Sequence, residues 1–541
     1  MAGSDVAPEP GCADAPALSA VQLEVVRHAL AGVADEMGVA LRRAAYSPNI
    51  KERADCSAAV FDPDGQMVAQ AEHIPVHLGA MPRSVEAAIE RFGKRLTPGT
   101  QVMVNDPYAG GTHLPDLTLV AAVGDDSGRM LGYVANRAHH ADVGGAAPGS
   151  MPASATDIAM EGLRIPPIMI AEDGRVRDDL LELIAANSRT PRERRGDLRA
   201  QFAANHVGAR RLRELAGRYG ADGLHTAMRE VCDYSERRVR AAIADIPDGT
   251  YRARDVLELG TSTDADAKVE IAVTLTVDGD EVTADFVGSG AQVPANINAV
   301  LAVTVSCAYF VLRMLTDPDA PPNAGCYRPL TVRAPERSVV DARHPAPVAA
   351  GNVETSQRIV DVLLAAFAQA LPDRVPAASQ GTMNNLLLGA SEPEAFSYYE
   401  TLGGGEGATP DRAGQSGIHT GMTNTENTPA EAIELDYPLR VWRYELRPDS
   451  GGDGDHRGGD GLVREIEVLS EHATLTLQTE RRRHAPWGLH GGGDGACGRN
   501  VLIHADGTEE DLAAKGTWHL HRGDRVRIET PGGGGWNKPA Q

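Results

Sequence analysis

The sequence predicts a mixed α+β fold with several lobes, in which β-rich segments alternate with long amphipathic helices. A chain of 541 residues is too long for one simple hydrophobic core, which indicates about two to four packed lobes. Its 42% hydrophobic and 23% charged residues are typical of a globular protein, and its 58 glycines indicate many turns. The spacing of apolar residues changes along the chain between helical and strand periods, so both kinds of element are expected.

The first helix has the clearest signals. Ser19 and Gln22 form a capping-box pattern, and apolar residues then recur every three or four positions until about Ala45. A second clear start is Thr190, followed by Pro191 at the first helical position. The same kind of pattern predicts further helices over 81–93, 190–220, 222–244, 299–316 and 356–371.

Strands are predicted where short β-rich runs lie between Gly, Pro and Asp residues. After Pro247 the apolar residues alternate, and the Asp278–Gly279 pair that follows is typical of a hairpin turn. The segment 438–535 also has the pattern of short strands. The predicted early strands are 58–61, 101–104, 117–123 and 131–136.

These elements divide the chain into four parts. Residues 1–17, rich in Ala, Pro, Gly and Asp, are expected to form a flexible tail. The expected lobes are a metal-site lobe with the N-terminal helix and a helical insert, a mixed α/β middle lobe and a β-rich C-terminal lobe, over 18–246, 247–437 and 438–541.

Charge and cysteine usage exclude several classes of protein. A net charge of −23 argues against nucleic-acid binding, which needs clustered, uncompensated Lys and Arg. The six cysteines form no CxxC pair, which is typical of a reducing compartment. There is no signal-peptide pattern and no long apolar run, so a cytoplasmic location is expected and a membrane association is not.

Two short Gly-rich segments carry the candidate chemistry. The first holds Asp106, His113 and Asp116, and the second, about 23 residues later, begins with His139 and His140 and continues to Asp142. Neutral imidazole and carboxylate together suit Mn, Fe or Zn. The alternative is that the carboxylates cap turns and that one histidine is a buried core residue. So many ligand-type residues in two short segments favour a metal site.

Other polar segments leave more than one interpretation open. Asp55, in the charged run 51–55, is either a further ligand or part of a surface ion-pair cluster. The segment 351–358 opens the predicted helix 356–371, where simple N-capping by Thr355 or Ser356 is favoured over anion binding. Polar stretches at 381–385, 398–401 and 419–425 indicate either a pocket or buried connections.

Motifs for nucleotide binding and for serine hydrolysis are absent from the sequence. There is no GxxxxGK[ST] loop, no GxGxxG between a strand and a helix, and no GxSxG elbow. Any nucleotide used in the reaction is therefore expected to bind to another chain.

Long motifs make the sequence resemble the hydantoinase B family, which includes the matching half of 5-oxoprolinase and the large subunit of acetone carboxylase-type enzymes. They include IKERAD at 50–55, HIPVHLG at 73–79, NDPYAGGTHLPD at 105–116, HHADVGG at 139–145 and EGLRIPP at 161–167. Further motifs are GNVETSQR at 351–358, GTMNN at 381–385, HTGMTNTENTP at 419–429, YPLRVWRYELRPDSGG at 437–452 and ETPGGGGW at 529–536.

The resemblance implies roles for named residues. The implied metal ligands are His113, Asp116 and His139, with Asp55 as an additional ligand, while His140 and Asp142 are expected to act in catalysis or as neighbours of the ligands. Asp106 ranks below these, because an Asp before Pro also shapes a loop. The residues expected to contact substrate are Asn352, Glu354, Arg358, Asn384 and His419.

The implied function is the ATP-dependent opening of a cyclic amide such as a hydantoin, a lactam or 5-oxoproline. A hydantoinase A-type partner in a hetero-oligomer would use ATP to phosphorylate the substrate, and a water bound to a divalent metal (Mn, Zn or Fe) on this chain would complete the hydrolysis. One alternative is a subunit of an ATP-dependent, biotin-independent ketone carboxylase, recognised by bicarbonate dependence. Another is a non-catalytic scaffold for the ATP-using subunit, which need retain no stoichiometric ion.

Overall fold

The computed structural model describes residues 19–71, 74–259, 267–391 and 395–539. The predicted tail over residues 1–17 and His73 of the HIPVHLG motif lie outside these described residues. Helices and several β-sheets alternate along the chain, which confirms the predicted mixed α+β class.

The helices agree closely with the apolar periodicity. They are α1 Ala20–Ala44, α2 Pro48–Lys51, α3 Ala80–Phe92, α4 Asp178–Ala186, α5 Pro191–Tyr219, α6 Ala221–Ile243, α7 Leu301–Leu315, α8 Ala324–Tyr327, α9 Ser356–Ala370 and α10 Ala430–Asp436.

The strands of the first half of the chain are β1 Cys56–Phe61, β2 Met67–Ala71, β3 Gln101–Val104, β4 Asp116–Gly124, β5 Met130–His139, β6 Ile168–Glu172, β7 Arg175–Val176, β8 Gly249–Glu258, β9 Lys268–Asp278 and β10 Glu281–Asp285. Those of the second half are β11 Leu330–Arg333, β12 Asn385–Ala390, β13 Phe396–Glu400, β14 Leu439–Arg447, β15 Gly461–Val468, β16 His472–Gln478, β17 Arg499–Ile503, β18 Glu509–Leu512, β19 Lys515–His521 and β20 Arg525–Glu529.

The first sheet has the order β2-β1-β5-β4-β3-β6-β7 and is antiparallel. Its central strands are buried on both faces, because α1 and α5 cover one face and the main core covers the other. Leu30 and Met37 of α1 pack with Val60 and Val134 of the sheet. In the antiparallel register Asp116, at the start of β4, lies opposite His139, at the end of β5. This register brings the two predicted segments together.

The described residues form three further sheets. Their strand orders are β11-β10-β9-β8, β13-β12-β16-β19 and β14-β15-β20-β17-β18. The Asp278–Gly279 hairpin is confirmed, because Asp278 pairs with Glu281 across the turn between β9 and β10. The largest hydrophobic core contains residues from Ala59 to Met422, so it includes parts of both the first and the second predicted lobe. The third sheet pairs β12, which precedes residue 438, with β16, which follows it. The lobe bounds at 246 and 437 remain predictions.

The start of α9 differs from the N-cap that was expected there. Residues Gly351–Thr355 form a π-helical turn that leads directly into α9, so the chain is already helical before Ser356. Thr355 donates its hydroxyl hydrogen to the carbonyl oxygen of Ile297, and Ser356 donates to that of Asn352. The predicted N-capping role is therefore wrong. The capping box of Ser19 and Gln22 is confirmed.

Within the described residues, no helix combines the length and the apolar character that crossing a membrane requires.

Replacing Gly351 by Ala should destabilise the fold. A Cβ atom there would lie 1.8 Å from the carbonyl oxygen of Asn298, a contact that only a backbone shift can relieve. Overpacking of this kind costs about 1–3 kcal/mol, to be measured as a lower midpoint of urea unfolding.

Gly32→Ala is the matched control. Gly32 lies inside α1, and a Cβ atom there meets nothing within 4 Å. This change should leave stability equal or raise it by up to about 1 kcal/mol. Equal midpoints for the two variants would contradict the prediction.

Candidate metal centre

His113, Asp116 and His139 form a buried cluster. His113 Nε2 lies 3.1 Å from Asp116 Oδ1, and His139 Nδ1 lies 3.2 Å from the same oxygen. One ligand-type atom from each residue lies within 4.8 Å of the other two. The exposed fraction of each residue is 3% or less. Two imidazoles and one carboxylate thus point at a common position.

Local structure explains why these three residues meet. Asp116 and His139 are opposite residues of neighbouring strands, whose side chains on one face lie about 5 Å apart. His113 lies three residues before Asp116, and the two are linked by a turn in which the Asp116 N–H donates to the His113 carbonyl. Thr112 donates its hydroxyl hydrogen to Asp116 Oδ2 over 2.8 Å. The turn therefore fixes both the carboxylate and the first histidine.

A backbone carbonyl on the side of the ring away from the cluster sets the orientation of His113. His113 Nδ1 lies 3.2 Å from the carbonyl oxygen of Ala349, which can accept the Nδ1 hydrogen, and Nε2 faces the cluster. Glu161 in turn accepts a 2.9 Å hydrogen bond from the Ala349 N–H. A backbone carbonyl behind a ligating imidazole is the usual arrangement in metal sites.

The donor set fits a divalent metal ion. Asn352 Oδ1 is buried and has no hydrogen-bond partner among the described residues. A cavity of about 20 Å³ lies between the cluster residues, which is room for about one water-sized group. Mn²⁺, Zn²⁺ and Fe²⁺ all accept imidazole and carboxylate ligands. His113, Asp116 and His139 would hold such an ion.

Asp116 is ionised in this environment. Burial raises the pKa of its carboxyl group, but the charge and hydrogen bond of His113, with the bonds of His139 and His77, hold that pKa well below its usual range. His77 Nε2 lies 3.5 Å from Asp116 Oδ2, and its Nδ1 lies 2.9 Å from Ser57 Oγ. Burial lowers the pKa of His77, against the opposing effect of Asp116.

Two of the remaining predicted residues border the cluster. Asn352 Nδ2 lies 3.1 Å from His113 Nε2 and donates to Asp116 Oδ2 over 3.5 Å, so Asn352 is at the centre. Asp55 is buried and lines the same small cavity, but it is outside the group of three closely spaced ligand atoms. Its role as an additional ligand stays a prediction.

The predicted catalytic residues His140 and Asp142 are not in the cluster. His140 Nε2 lies 3.0 Å from Gln201 Oε1 on α5, and burial lowers the pKa of His140 to about 3, as for a neutral core histidine. Asp142 accepts hydrogen bonds from the N–H groups of Gly144, Gly149 and Arg189 and from the Arg189 guanidinium. Both side chains therefore have partners outside the cluster, and their role in catalysis stays a prediction.

Asp106, which ranked below the other candidates, caps a turn. Its carboxylate accepts a hydrogen bond from the Tyr108 N–H, and it lies 3.7 Å from the Arg164 guanidinium. The contacts of Asp106 therefore match the expectation that it shapes a loop.

Three of the predicted substrate-binding residues instead belong to a buried polar network. Glu354 accepts hydrogen bonds from the Met383 N–H and the Asn385 amide. Arg358 forms ion pairs with Asp255, Asp361 and Glu480. Asn384 donates to Gln380 and accepts from Arg482. These contacts place the three residues in the protein interior, although Glu354 Oε2 and Arg358 Nε have no hydrogen-bond partner among the described residues, and their contact with substrate stays a prediction.

A second, larger cavity lies beside the cluster. Its volume is about 530 Å³, and His419 is one of its lining residues. One wall is apolar and comes from α7 and α9, with Phe310, Met314, Val360 and Leu364, whereas the other is polar and comes from residues 418–424. Thr423 lines both this cavity and the small one. The two cavities therefore share a lining residue.

Sequence reasoning gave no site role to His77 or Tyr399. His77 belongs to the HIPVHLG motif, which was a usable signal. The Tyr399 ring stacks on His139 with the ring centroids 4.8 Å apart. Tyr399 lies on the third sheet and His139 on the first sheet, so the two rings meet only through tertiary packing. No local sequence pattern could reveal this contact.

Comparison with known proteins finds one family whose members are similar to this chain over nearly its whole length. A family model described as "Hydantoinase B/oxoprolinase" matches residues 19–539. An uncharacterized protein of Methanocaldococcus jannaschii is 42% identical, over 96% of this chain and 91% of its own length. A putative D-/L-hydantoinase subunit of a Pseudomonas strain is 33% identical, over 96% and 90%. The 5-oxoprolinase 1 of Arabidopsis thaliana is 40% identical, but this chain spans only 42% of that protein.

Two solved structures share the fold. An ATP-dependent caprolactamase from Pseudomonas jessenii is 30% identical and superposes with a TM-score of 0.88, over 96% of this chain and 91% of the other. A nucleotide-free acetone carboxylase superposes with a TM-score of 0.86 over 96% of this chain and 75% of the other. Its sequence identity of 19% makes this second likeness one of fold alone.

Glu161→Gln should weaken the pH dependence of stability. Burial raises the pKa of the Glu161 carboxyl to about 8, although the N–H groups of Ala349 and Val348 oppose this shift. The folded state then binds more protons than the unfolded state, so stability is full below the ordinary pKa of 4.5 and is lost as the pH rises to about 8. Glutamine keeps an acceptor for Ala349 and cannot ionise.

The measurement is the urea midpoint of the metal-free chain between pH 5 and pH 8. The midpoint should fall less steeply for Glu161→Gln than for the wild type. Glu86→Gln, at an exposed position on α3, is the control and should keep the wild-type slope. Equal slopes for all three proteins would rule out a buried, ionising Glu161.

Proposed function

Because the chain belongs to the hydantoinase B/oxoprolinase family, we propose that it acts in an ATP-dependent hydrolase that opens a cyclic amide such as a hydantoin, a lactam or 5-oxoproline. The observation that carries the proposal is the buried cluster of His113, Asp116 and His139 next to a cavity large enough for such a ring. The names of its relatives and of the caprolactamase agree with this class of reaction.

We propose that this chain is the hydantoinase B-type component of a complex and that ATP is used by a separate partner of the hydantoinase A type. The sequence contains no GxxxxGK[ST] loop, and the name of one relative describes it as one subunit of a hydantoinase. An amide is a poor electrophile, and phosphorylation of its oxygen in the partner would provide a good leaving group. The 5-oxoprolinases extend well beyond the part that matches this chain.

A divalent ion at the cluster would supply Lewis acidity and would lower the pKa of a water molecule. The chain itself contributes a dry and fixed setting for that chemistry. His113 is oriented by Ala349, Asp116 is held by Thr112, and the Asn352 amide nitrogen lies within hydrogen-bond distance of both His113 and Asp116. Because these residues are buried, the electrostatic interactions at the site are stronger than they would be in water.

The larger cavity has the two kinds of wall that a cyclic amide needs. The methylene groups of a ring fit against the apolar side chains of α7 and α9, and the amide fits against the hydroxyl and amide groups of the opposite wall. Thr423 marks the place where a ring in this cavity would reach the cluster.

His113→Ala and Asp116→Ala should each abolish ring opening, because each removes a ligand from the cluster. In a complex with the ATP-using partner, ATP hydrolysis should persist while product falls to the level seen without this chain. Metal content, measured on the purified chain, should fall as well. His206→Ala, at an exposed position on α5, is the control.

Three results would contradict this assignment. Undiminished ring opening in the ligand variants would remove the cluster from the reaction. Product formation that requires bicarbonate and a ketone would favour the carboxylase alternative. A wild-type chain that retains no stoichiometric metal while its complex remains active would favour the scaffold alternative.

Val360→Phe should weaken substrate binding without loss of metal. Val360 lies on α9 in the apolar wall of the larger cavity, and a phenyl ring there would fill part of the space for the substrate. We expect KM to rise about tenfold, which corresponds to about 1.4 kcal/mol of binding free energy. Val239→Phe, at a buried position on α6 that does not line the cavity, controls for general overpacking. An unchanged KM would show that substrate binds elsewhere.

A further inference from the structure

His139 lacks the contact that normally orients a ligating histidine. With Nδ1 facing Asp116, its second nitrogen is Nε2, and Nε2 is buried without a hydrogen-bond partner among the described residues. In most metal sites the second ring nitrogen is held by a carboxylate, a carbonyl or water. His113 has such a partner in Ala349. Some other contact must therefore fix the His139 ring.

The Tyr399 ring provides that contact. The imidazole of His139 and the phenol ring of Tyr399 are stacked, with centroids 4.8 Å apart and an angle of 22° between the planes. Tyr399 is 5% exposed, and its hydroxyl donates to Asn385 Oδ1 over 2.9 Å. The aromatic ring is thus fixed at both its face and its tip.

Arg53 holds the same assembly together. Its guanidinium lies 4.9 Å from the centroid of the Tyr399 ring, within the range of a cation–π interaction. It also donates to the Tyr399 carbonyl over 2.8 Å and to Asn49 Oδ1 over 2.6 Å. Asn49 donates in turn to the carbonyl of His139 over 2.8 Å. One side chain thereby ties together the tyrosine and the backbone of the histidine.

The burial of Arg53 is costly, which points to a specific role. Arg53 is fully buried, and the hydrogen bonds that its guanidinium forms within the described residues go to Asn49, Tyr399, Thr401 and Thr425, none of which is a carboxylate. Its two terminal nitrogens donate to neutral oxygens, including the Thr401 hydroxyl at 2.7 Å, whereas Nε has no partner among the described residues. Removing a cation from water requires compensation of this kind. The role of Arg53 in the IKERAD motif is accounted for by these contacts and not by a surface ion pair.

We propose that Tyr399, held by Arg53, is a positioning residue that orients His139 for metal binding by stacking in place of a hydrogen bond. The inference rests on the proposed metal site. Tyr399→Leu removes the stacked ring and should raise the Kd for Zn²⁺ about 10–100-fold, the usual effect of losing a group that orients a ligand. Tyr399→Phe keeps the ring and should bind Zn²⁺ within about threefold of the wild type.

The experiment titrates the purified, metal-free full chain with Zn²⁺ in the presence of a competing chelator, without partner or substrate. Co²⁺ added to the same proteins gives an absorption spectrum that reports ligand geometry. This spectrum should change in Tyr399→Leu and be restored in Tyr399→Phe. Tyr398→Leu is the matched control, since Tyr398 is 2% exposed on the same strand and donates to Glu400 away from the cluster.

Each outcome bears on the proposal. Weaker Zn²⁺ binding in Tyr399→Leu alone, with rescue by Tyr399→Phe, supports it. Equal loss in Tyr399→Leu and Tyr398→Leu would reflect general loosening and would overturn it. Wild-type affinity in Tyr399→Leu would overturn the positioning role and leave the metal site intact, whereas a wild-type chain that binds no Zn²⁺, Mn²⁺ or Co²⁺ would overturn both.

Discussion

The carboxylate of Asp116 is buried, and a buried carboxylate requires hydrogen-bond donors or positive charge around it. Thr112, the three imidazoles of His77, His113 and His139, and Asn352 all lie within contact distance of its two oxygens. His77, His139 and Asn352 come from segments far from Asp116 in the sequence, so folding must bring those segments together before this charge is satisfied. A divalent cation would also supply positive charge to this buried carboxylate, and the surrounding imidazoles are suitable ligands for it.

The scaffold meets this requirement with rigid elements. The register of β4 and β5 sets Asp116 opposite His139, and the π-helical turn before α9 delivers Asn352. The third sheet brings Tyr399 onto the ring of His139. Because the centre draws on the first sheet, the middle segment and the third sheet, it is assembled only when these parts pack against one another.

A second buried network secures that packing. Arg358 and Asp361 on α9 meet Asp255 of β8 and Glu480 and Arg481 of the C-terminal part. Burial raises the pKa of Asp361 to about 8, despite the opposing charge of Arg358. Breaking one member of such a network would leave an unpaired buried charge, which is strongly destabilising. The polar residues of the GNVETSQR motif therefore divide into Asn352 at the candidate metal centre and Arg358 at a structural junction.

The family resemblance singled out His113, Asp116 and His139. The fold class, the main helices and the two segments that hold this cluster could be predicted from the residues themselves, because periodicity, capping and ligand-type residues are local features. The roles of His140, Asp142 and Glu354 could not, since whether a buried polar side chain faces a site or a loop depends on contacts from distant segments. The roles of Tyr399 and Arg53 were hidden for the same reason. Which groups share the low-dielectric space around Asp116 is settled by tertiary packing, because that space exists only between packed elements.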